Sequence, residues 1–434
     1  MNYYSLNRNS EKTSFRNAVI QGLAPDKGLY FPETVEPLDP TFIKDLENIS
    51  NPEIAYMAIK QFVGDDIPEA ELQNIVTETL SFDFPLEKVE DDIYALELFH
   101  GPTMAFKDVG ARFMARCLGY FNRNRKQDAG KVTVLVATSG DTGGAVASGF
   151  LGVEGVDVVI LYPSGKVSDI QERQLTTLGK NIRALEVDGT FDDCQDMVKT
   201  AFLDKSLGEK NLTSANSINV ARWLPQMFYF FFAYKQLQHK EKDVIFAVPS
   251  GNFGNICAGI MAGKLGLPVD HFVAATNIND TVPQYLKNGT YSPKPSKQTI
   301  SNAMDVGNPS NFVRIQQFFD QDIEALKAKF SSYSFSDDQT RKVMANIYTA
   351  SGYVADPHGA VGYLGLKKYL GQNPGKTGIF LETAHPVKFL DIVEDTLGVQ
   401  VEIPEQIRAV MDKEKIKRSI SSYEELKRFL LDSK

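Results

Sequence analysis

Short runs of apolar residues recur along the chain from about residue 93 onward, and segments with helical spacing of apolar positions separate them. Runs of this kind are typical of strands that are buried on both faces of a parallel sheet. Strands that alternate with helices predict a mostly parallel sheet covered by helices on both faces. The predicted strands span residues 93–99, 132–137, 157–162, 182–187, 244–248, 271–276 and 378–381, and the clearest predicted helices span 107–122, 191–203 and 222–237.

The N-terminal part of the chain has a different pattern. Two segments with helical spacing begin at Asn51 and Pro68, each with a proline in its first turn, as is typical of helix N-termini. We therefore predict a mainly helical region over residues 1–92, a first α/β domain over 93–220 and a second over 221–434, with the two domains interleaved.

Two segments repeat one order of elements: a strand, a glycine-containing loop and a helix of small residues. The first loop reads Ser-Gly-Asp-Thr-Gly at 139–143, and the second reads Ser-Gly-Asn-Phe-Gly at 250–254. Ligands of parallel sheets bind beyond the carboxyl ends of strands, where the free N–H groups of the following helix attract anions. Each loop fits either an anion site or a tight turn that caps a helix without a ligand.

Lys107 is the candidate nucleophile. It lies in His-Gly-Pro-Thr-Met-Ala-Phe-Lys-Asp at 100–108, and apolar surroundings would lower its pKa and make the amine reactive towards aldehydes. A surface lysine at the start of a helix is the alternative interpretation. An amine near two anion sites would suit a cofactor that carries an aldehyde and a phosphate, together with a substrate that carries a carboxylate.

Two further polar segments have candidate recognition groups. Asn216, Ser217, Asn219 and Arg222 precede an apolar segment, and Arg222 could bind a phosphate or carboxylate through two hydrogen bonds. A helix cap with a surface arginine explains the same residues. Thr383 directly follows a predicted strand, where its hydroxyl could reach a ring nitrogen or could simply belong to a turn.

Composition excludes several classes of function. The 434 residues are 43% hydrophobic and 23% charged, as in globular proteins, and the net charge of −9 argues against nucleic acid or an anionic membrane as partner. We find no signal peptide and no apolar run of about 20 residues. Three cysteines without a paired spacing favour reduced thiols and a cytoplasmic location.

Known cofactor motifs are also missing from the sequence. There is neither a Walker loop nor a dinucleotide fingerprint, and none of the five histidines has a metal-ligand spacing. We therefore expect a small-molecule substrate and no metal, and the sequence carries no signal for the oligomeric state.

Taken together, six motifs closely resemble those of the bacterial threonine synthases. The resemblance extends from Ser14 to the C-terminal region, so it covers nearly the whole chain. The motifs lie at residues 100–108, 137–143, 214–219, 249–255, 301–306 and 383–389.

The resemblance implies a tryptophan-synthase-β-like fold of fold type II, with two α/β domains around a pyridoxal 5′-phosphate cofactor. It implies that Lys107 binds the cofactor aldehyde covalently and that Thr383 meets the pyridine nitrogen. The cofactor phosphate would be held by the residues Gly251, Asn252, Phe253, Gly254 and Asn255.

The implied substrate is O-phospho-L-homoserine, and the implied products are L-threonine and phosphate. We expect Ser139, Gly140 and Thr142 to bind the substrate carboxylate, with Asp141 pointing aside or binding an amine and Thr103 bordering the lysine. The substrate phosphate would be bound by Asn216, Ser217, Asn219 and Arg222. A serine/threonine dehydratase of the same fold and a catalytically inactive homologue are the alternatives.

Overall fold

The computed structural model describes residues 1–124, 131–238 and 241–432. Within these ranges the strands are β1 Asn2–Ser5, β2 Thr13–Ser14, β3 Tyr30–Pro32, β4 Leu86–Glu90, β5 Ile93–Glu97, β6 Val132–Ala137, β7 Val156–Pro163, β8 Ile182–Val187, β9 Leu212–Ser214, β10 Val244–Pro249, β11 His271–Thr276, β12 Phe330–Ser334, β13 Thr377–Glu382 and β14 Arg418–Ile420. The helices are α1 Phe15–Gln21, α2 Pro40–Lys44, α3 Asn51–Val63, α4 Glu69–Thr79, α5 Lys107–Arg123, α6 Asp141–Phe150, α7 Asp169–Thr176, α8 Phe191–Leu203, α9 Val220–Trp223, α10 Phe228–Gln236, α11 Gly254–Lys264, α12 Thr281–Asn288, α13 Phe312–Phe318, α14 Ile323–Lys329, α15 Asp337–Ser351, α16 Pro357–Gln372, α17 Leu390–Leu397, α18 Glu405–Met411 and α19 Tyr423–Asp432.

Two parallel sheets form the body of the molecule. One has the strand order β12-β11-β10-β13-β5-β4, in which β4 alone is antiparallel to its neighbour. The other has the order β14-β8-β7-β6-β9, and all its pairs are parallel. The prediction of a mostly parallel α/β fold is therefore confirmed.

The central strands are apolar because both of their faces are covered. Every residue of β6, β10, β11 and β13 is buried, which is why these strands read as continuous apolar runs rather than as alternating patterns. These runs were the strongest signal in the sequence, and all seven predicted strands are present.

Each large sheet takes strands from distant parts of the chain. Strand β5 pairs with β13, with Ile93 opposite Gly378, and β14 near the C-terminus pairs with β8. Strands β4 and β5, at residues 86 to 97, lie in the same sheet as the strands between residues 244 and 382. The predicted domain boundaries at residues 92 and 220 stay predictions.

The N-terminal region contains strands as well as the predicted helices. A small antiparallel sheet has the order β2-β1-β3, and α1 packs against β1 and β2. Tyr3 of β1 is fully buried and donates from its hydroxyl to the carbonyl of Phe62 at 2.7 Å. Strands of two to four residues are too short to show a periodic pattern, so the sequence did not indicate them.

The predicted helix over 222–237 is wrong in its continuity. The structure has α9, then a 3₁₀ turn over Leu224–Met227, then α10. Pro225 lies in this turn, where it lacks the N–H that a continuous helix needs.

Among the described residues, no helix is both long enough and apolar enough to cross a lipid bilayer.

Candidate active site

A cavity lies where strands of both sheets end. Its walls come from the segments that follow β6, β9, β10 and β13 and from the first residues of α5 and α16. The space between these walls is about 890 Å³, and this volume includes a part that is open to solvent. Clefts beyond the carboxyl ends of parallel strands are common sites for small molecules and cofactors.

Most of the residues predicted from the sequence line this one cavity. They come from five separate parts of the chain that only the fold brings together. The predicted residues in the cavity wall are Lys107, Ser139, Asp141, Thr142, Asn216, Ser217, Arg222, Gly251, Asn252, Phe253, Gly254, Asn255 and Thr383.

Three predicted residues lie behind the wall rather than in it. Thr103 donates from its hydroxyl to Asp108 at 2.6 Å, and Gly140 packs so closely on Gln171 that a Cβ would lie 2.5 Å from that side chain. Asn219 caps α9 by accepting from the N–H of Ala221, and its amide donates to the carbonyl of Val19. The hydroxyl of Thr103 and the side-chain amide of Asn219 are thus engaged within the protein.

Lys107 and Thr383 are neighbours because a short antiparallel bridge joins their segments. Ala105 pairs with Ala384, and the N–H of Phe106 donates to the carbonyl of Thr383 at 2.9 Å. Lys107 is then the first residue of α5. The bridge therefore brings Lys107 and Thr383 into the same part of the cavity wall.

Lys107 lines the cavity and is partly buried. Among the described residues its amine has no hydrogen-bond partner, and it lies 5.6 Å from the centre of the Phe106 ring. Burial lowers the pKa of Lys107 to about 8. The negative charge of Asp141 raises this pKa, and the positive charges of Lys388 and Arg222 lower it further. The lowered pKa increases the fraction of this amine that is uncharged near neutral pH, and the uncharged form is the one that acts as a nucleophile.

The first glycine loop is closed by the protein itself. The hydroxyl of Thr138 accepts from the N–H groups of Gly140 at 3.0 Å and Gly143 at 2.8 Å. Asp141 forms a buried ion pair with Lys388, with 2.8 Å between Oδ1 and Nζ, and also accepts from Gln171. Burial favours the neutral acid, but the ammonium groups of Lys388 and Lys107 hold the pKa of Asp141 well below its usual range.

The second glycine loop leaves a helix end open to the cavity. Among the residues that the structure describes, no side chain caps α11, and the residue before it, Phe253, has a left-handed backbone with φ of 61°. A Cβ on Gly251 would lie 2.9 Å from the Cα of Met304 and 3.0 Å from the carbonyl oxygen of Ala303. The loop thus combines free N–H groups with a backbone approach that only glycine permits.

The residues after β9 are held by the protein to different degrees. The amide of Asn216 donates to the carbonyl of Ala137, and the hydroxyl of Ser217 accepts from Asn311. Arg222 is buried and donates from Nη1 to the carbonyl of Ala215 at 2.5 Å. Burial lowers the pKa of Arg222 to about 10, which still leaves the guanidinium charged at neutral pH.

Several buried polar atoms in the cavity wall have no partner in the protein. Among the described residues they are Arg222 Nε, Gln226 Oε1, both side-chain polar atoms of Asn255, and His358 Nε2. An unpaired buried polar group costs about 1 to 3 kcal/mol, so a cluster of such groups around one cavity fits a site for a polar ligand.

Three residues of the site region were not singled out from the sequence. Gln226 follows Arg222 by one helical turn, and His358 follows an Asp-Pro pair that is typical of a helix start. Lys388 belongs to the motif at 383–389, but nothing local indicates its pairing with Asp141. No group of three or more potential metal ligands is found in the described part of the chain.

Three family models match the chain and together cover most of it. The model described as "Pyridoxal-phosphate dependent enzyme" matches residues 72–382. The model "Threonine synthase N terminus" matches residues 2–80, and "Threonine synthase, C-terminal" matches residues 359–430.

Individual relatives are similar over nearly their full lengths. Threonine synthase of Haemophilus influenzae is 46% identical over 409 residues, which are 94% of each chain. The crystal structure of threonine synthase from Escherichia coli is 42% identical, with a TM-score of 0.94 over 100% of both chains. The structure of pyridoxal-phosphate-bound threonine synthase from Brucella melitensis is 33% identical, with a TM-score of 0.91 over 99% of this chain and 98% of that one.

Proposed function

The chain belongs to the threonine synthase family of pyridoxal-phosphate-dependent lyases, and from this membership we propose that it converts O-phospho-L-homoserine and water into L-threonine and phosphate. It would thus be a carbon–oxygen lyase acting on a phosphate ester. The single observation that carries this proposal is that the Lys107 amine, the buried guanidinium of Arg222 and the open end of α11 face one cavity.

The residues in the wall fit the cofactor. The uncapped end of α11, with Gly251 to Asn255 before and within it, would hold the cofactor phosphate. Lys107 would hold the aldehyde carbon, and Thr383 would meet the ring nitrogen. When bound, pyridoxal phosphate supplies a conjugated ring that stores the charge left on substrate carbons as protons are removed.

The protein contributes the proton transfers and the positioning. The Lys107 amine, with its pKa of about 8, can take a proton at Nζ and return it close to neutral pH. In the proposed reaction, phosphate leaves from the γ carbon and the oxygen of water is added at the β carbon. Both changes require the same amine to move protons between neighbouring carbons, which its unpartnered position over Phe106 permits.

Substrate binding follows from the remaining polar groups of the wall. We assign the substrate carboxylate to Ser139 and Thr142, because these two hydroxyl residues line the cavity. We assign the substrate phosphate to Arg222, whose Nε has no protein partner. Asn216 and Ser217 contribute to the same phosphate site, although their side chains also contact the protein.

The experiment measures phosphate and threonine together. Purified protein loaded with pyridoxal phosphate should release both products in equal amounts from O-phospho-L-homoserine. Borohydride reduction and peptide mapping should place the cofactor on Lys107, and Lys107→Ala should abolish turnover. A pyridoxyl group on a different lysine would contradict the assignment.

A substitution of Arg222 tests the substrate phosphate site. Arg222→Ala should raise the KM for O-phospho-L-homoserine, since it removes the charge that faces the leaving phosphate, and Arg222→Lys should recover part of the loss. An unchanged KM in the alanine variant would refute the assignment.

A serine/threonine dehydratase activity would have a different product signature. Such an enzyme forms a keto acid and ammonia from serine or threonine and releases no phosphate. An inactive homologue would bind the cofactor and release neither set of products.

A cytoplasmic location stays a prediction, supported by three cysteines that are buried and free.

A further inference from the structure

One buried histidine of the cavity has no role in the reaction described above. His358 lies in the first turn of α16, is 3% exposed and lines the cavity beside Thr383. Its Nε2 has no protein partner. Its other nitrogen, Nδ1, lies 3.4 Å from Oδ1 of Asp356 and 3.5 Å from the hydroxyl oxygen of Thr383.

Asp356 is well placed to keep a negative charge. It caps α16 by accepting from the N–H groups of His358 at 2.7 Å and Gly359 at 3.4 Å, and the helix N-terminus favours an anion. Glu382 is the nearest other acid, and its carboxylate accepts from the N–H of Asp356. Burial and the charge of Asp356 raise the pKa of Glu382 well above its usual range, so Glu382 is the member of the pair that holds a proton.

We expect the charge of Asp356 to favour one tautomer of His358. A bare lone pair on Nδ1 would face the carboxylate and be repelled, whereas a proton on Nδ1 is attracted to it. Burial lowers the pKa of His358, so the ring is neutral and holds only one proton. We therefore expect that proton on Nδ1, the ring nitrogen that lies near both Asp356 and Thr383.

The tautomer decides what Thr383 can offer to a ligand. If Nδ1 were bare, the Thr383 hydroxyl would donate its proton to the imidazole and would present only lone pairs to the cavity. With the proton on Nδ1, the hydroxyl oxygen accepts from the imidazole, and its own proton is free to donate into the cavity.

We propose that Asp356 and His358 are positioning residues that orient the Thr383 hydroxyl as a hydrogen-bond donor towards an unprotonated aromatic nitrogen of the bound cofactor. This inference rests on the proposed contact between Thr383 and the cofactor ring. Asp356 and His358 act through Thr383, so their effects should depend on its hydroxyl.

The tautomer can be read without any cofactor. In the apo protein with ¹⁵N-labelled histidine, the His358 resonances should show a protonated Nδ1 and a bare Nε2, and His358→Gln assigns them by their loss. His271→Gln is the matched control, since His271 is also buried but is outside the cavity wall and stacks on Tyr369. A wild-type spectrum with the proton on Nε2 would overturn the proposal.

A double-mutant cycle tests whether Asp356 acts through Thr383. The substitution Asp356→Asn keeps a good helix cap but removes the charge, and Thr383→Val removes the hydroxyl. Each should weaken cofactor binding by roughly fivefold to tenfold, the range expected for one hydrogen bond, and the double variant should be no weaker than Thr383→Val alone. Cofactor labelled with ¹⁵N in the ring should show the same displaced ring resonance in both single variants.

The outcomes separate this inference from the proposed function. An effect of Thr383→Val without an effect of Asp356→Asn, or losses that add in the double variant, would overturn the inference alone. No effect of Thr383→Val on the ring resonance would overturn both the inference and the assigned contact of Thr383. Release of phosphate and threonine is measured independently of either result.

Discussion

The two glycine loops look like copies in the sequence but differ in what they leave open. The loop before α6 carries an acidic residue whose charge is neutralised inside the protein by Lys388, and Thr138 accepts from its backbone N–H groups. The loop before α11 carries Asn252 in the matching position, and no side chain caps its helix.

This difference teaches how one local motif serves two purposes. A strand, a glycine loop and a helix produce a cluster of N–H groups, and the neighbouring side chains determine whether the protein or a ligand binds to them. The first loop is mainly a structural joint between the sheets that borders the cavity. The second has the features of a phosphate site. Each of the following substitutions breaks or sharpens that contrast.

Separating Asp141 from Lys388 should have the largest effect. Either Asp141→Ala or Lys388→Met leaves one buried charge without its partner, and we expect a loss of about 3 to 5 kcal/mol in the free energy of unfolding. Urea unfolding of the apo protein measures this loss. The double variant should recover much of it, and a double variant as unstable as the singles would contradict the structural role of the pair.

Making the second loop acidic should cause the next largest effect. Asn252→Asp keeps the shape and the oxygen that accepts from Ser310, but it places a negative charge beside the proposed phosphate. Repulsion of roughly 3 kcal/mol at short range should weaken pyridoxal phosphate binding about a hundredfold. Fluorescence titration measures the affinity. The protein should remain as stable as before, and unchanged affinity would remove the loop from the phosphate site.

Adding a methyl group at Gly251 should have a smaller effect on both affinity and stability. The Cβ of Gly251→Ala would press on the backbone of Ala303 and Met304, with an expected cost of about 1 to 3 kcal/mol. Cofactor titration and thermal unfolding separate the two contributions. Gly371→Ala is the control, because a Cβ there meets nothing within 4 Å, and equal behaviour of the two variants would argue against the close approach.

Removing the internal cap of the first loop should have the smallest effect. Thr138→Val preserves the side-chain shape but leaves the N–H groups of Gly140 and Gly143 without their hydroxyl acceptor. We expect a loss of about 1 to 2 kcal/mol in unfolding free energy. Ser139→Ala should change stability much less, since Ser139 is only partly buried. If Ser139→Ala proved the more destabilising change, Thr138 would not be the cap.

Features that depend on neighbouring residues could be predicted from the sequence. The buried strands appear as apolar runs, the loops as glycine clusters, and Lys107 as a basic residue in an apolar frame. The resemblance to threonine synthases added the cofactor and the grouping of these motifs in one cavity. Fold class, family and cofactor were all confirmed, whereas the roles of individual side chains stay predictions.

Features that depend on distant residues could not be predicted in this way. Asp141 and Lys388 are 247 positions apart, so no window of sequence shows their pairing. The sequence marks Asn219 as polar, but only the fold shows that its amide reaches the carbonyl of Val19. The sequence does not indicate a role for His358, because part of its environment is the end of β13. Its other neighbour, Asp356, is close in sequence but looks like an ordinary helix cap.

The pairing of β5 with β13 has a consequence for biosynthesis. Translation delivers Lys107 early, yet the strand beside β5 and the residues that bridge to Ala105 lie close to the C-terminus. During translation, four of the five strands of the all-parallel sheet (β6 to β9) are therefore available before β13 is made. At that stage Lys107 still lacks the residues that surround it in the folded protein. In a fragment released from a stalled ribosome, Lys107 would have the pKa of an exposed lysine. Such fragments should therefore not compete with the complete protein for the cofactor.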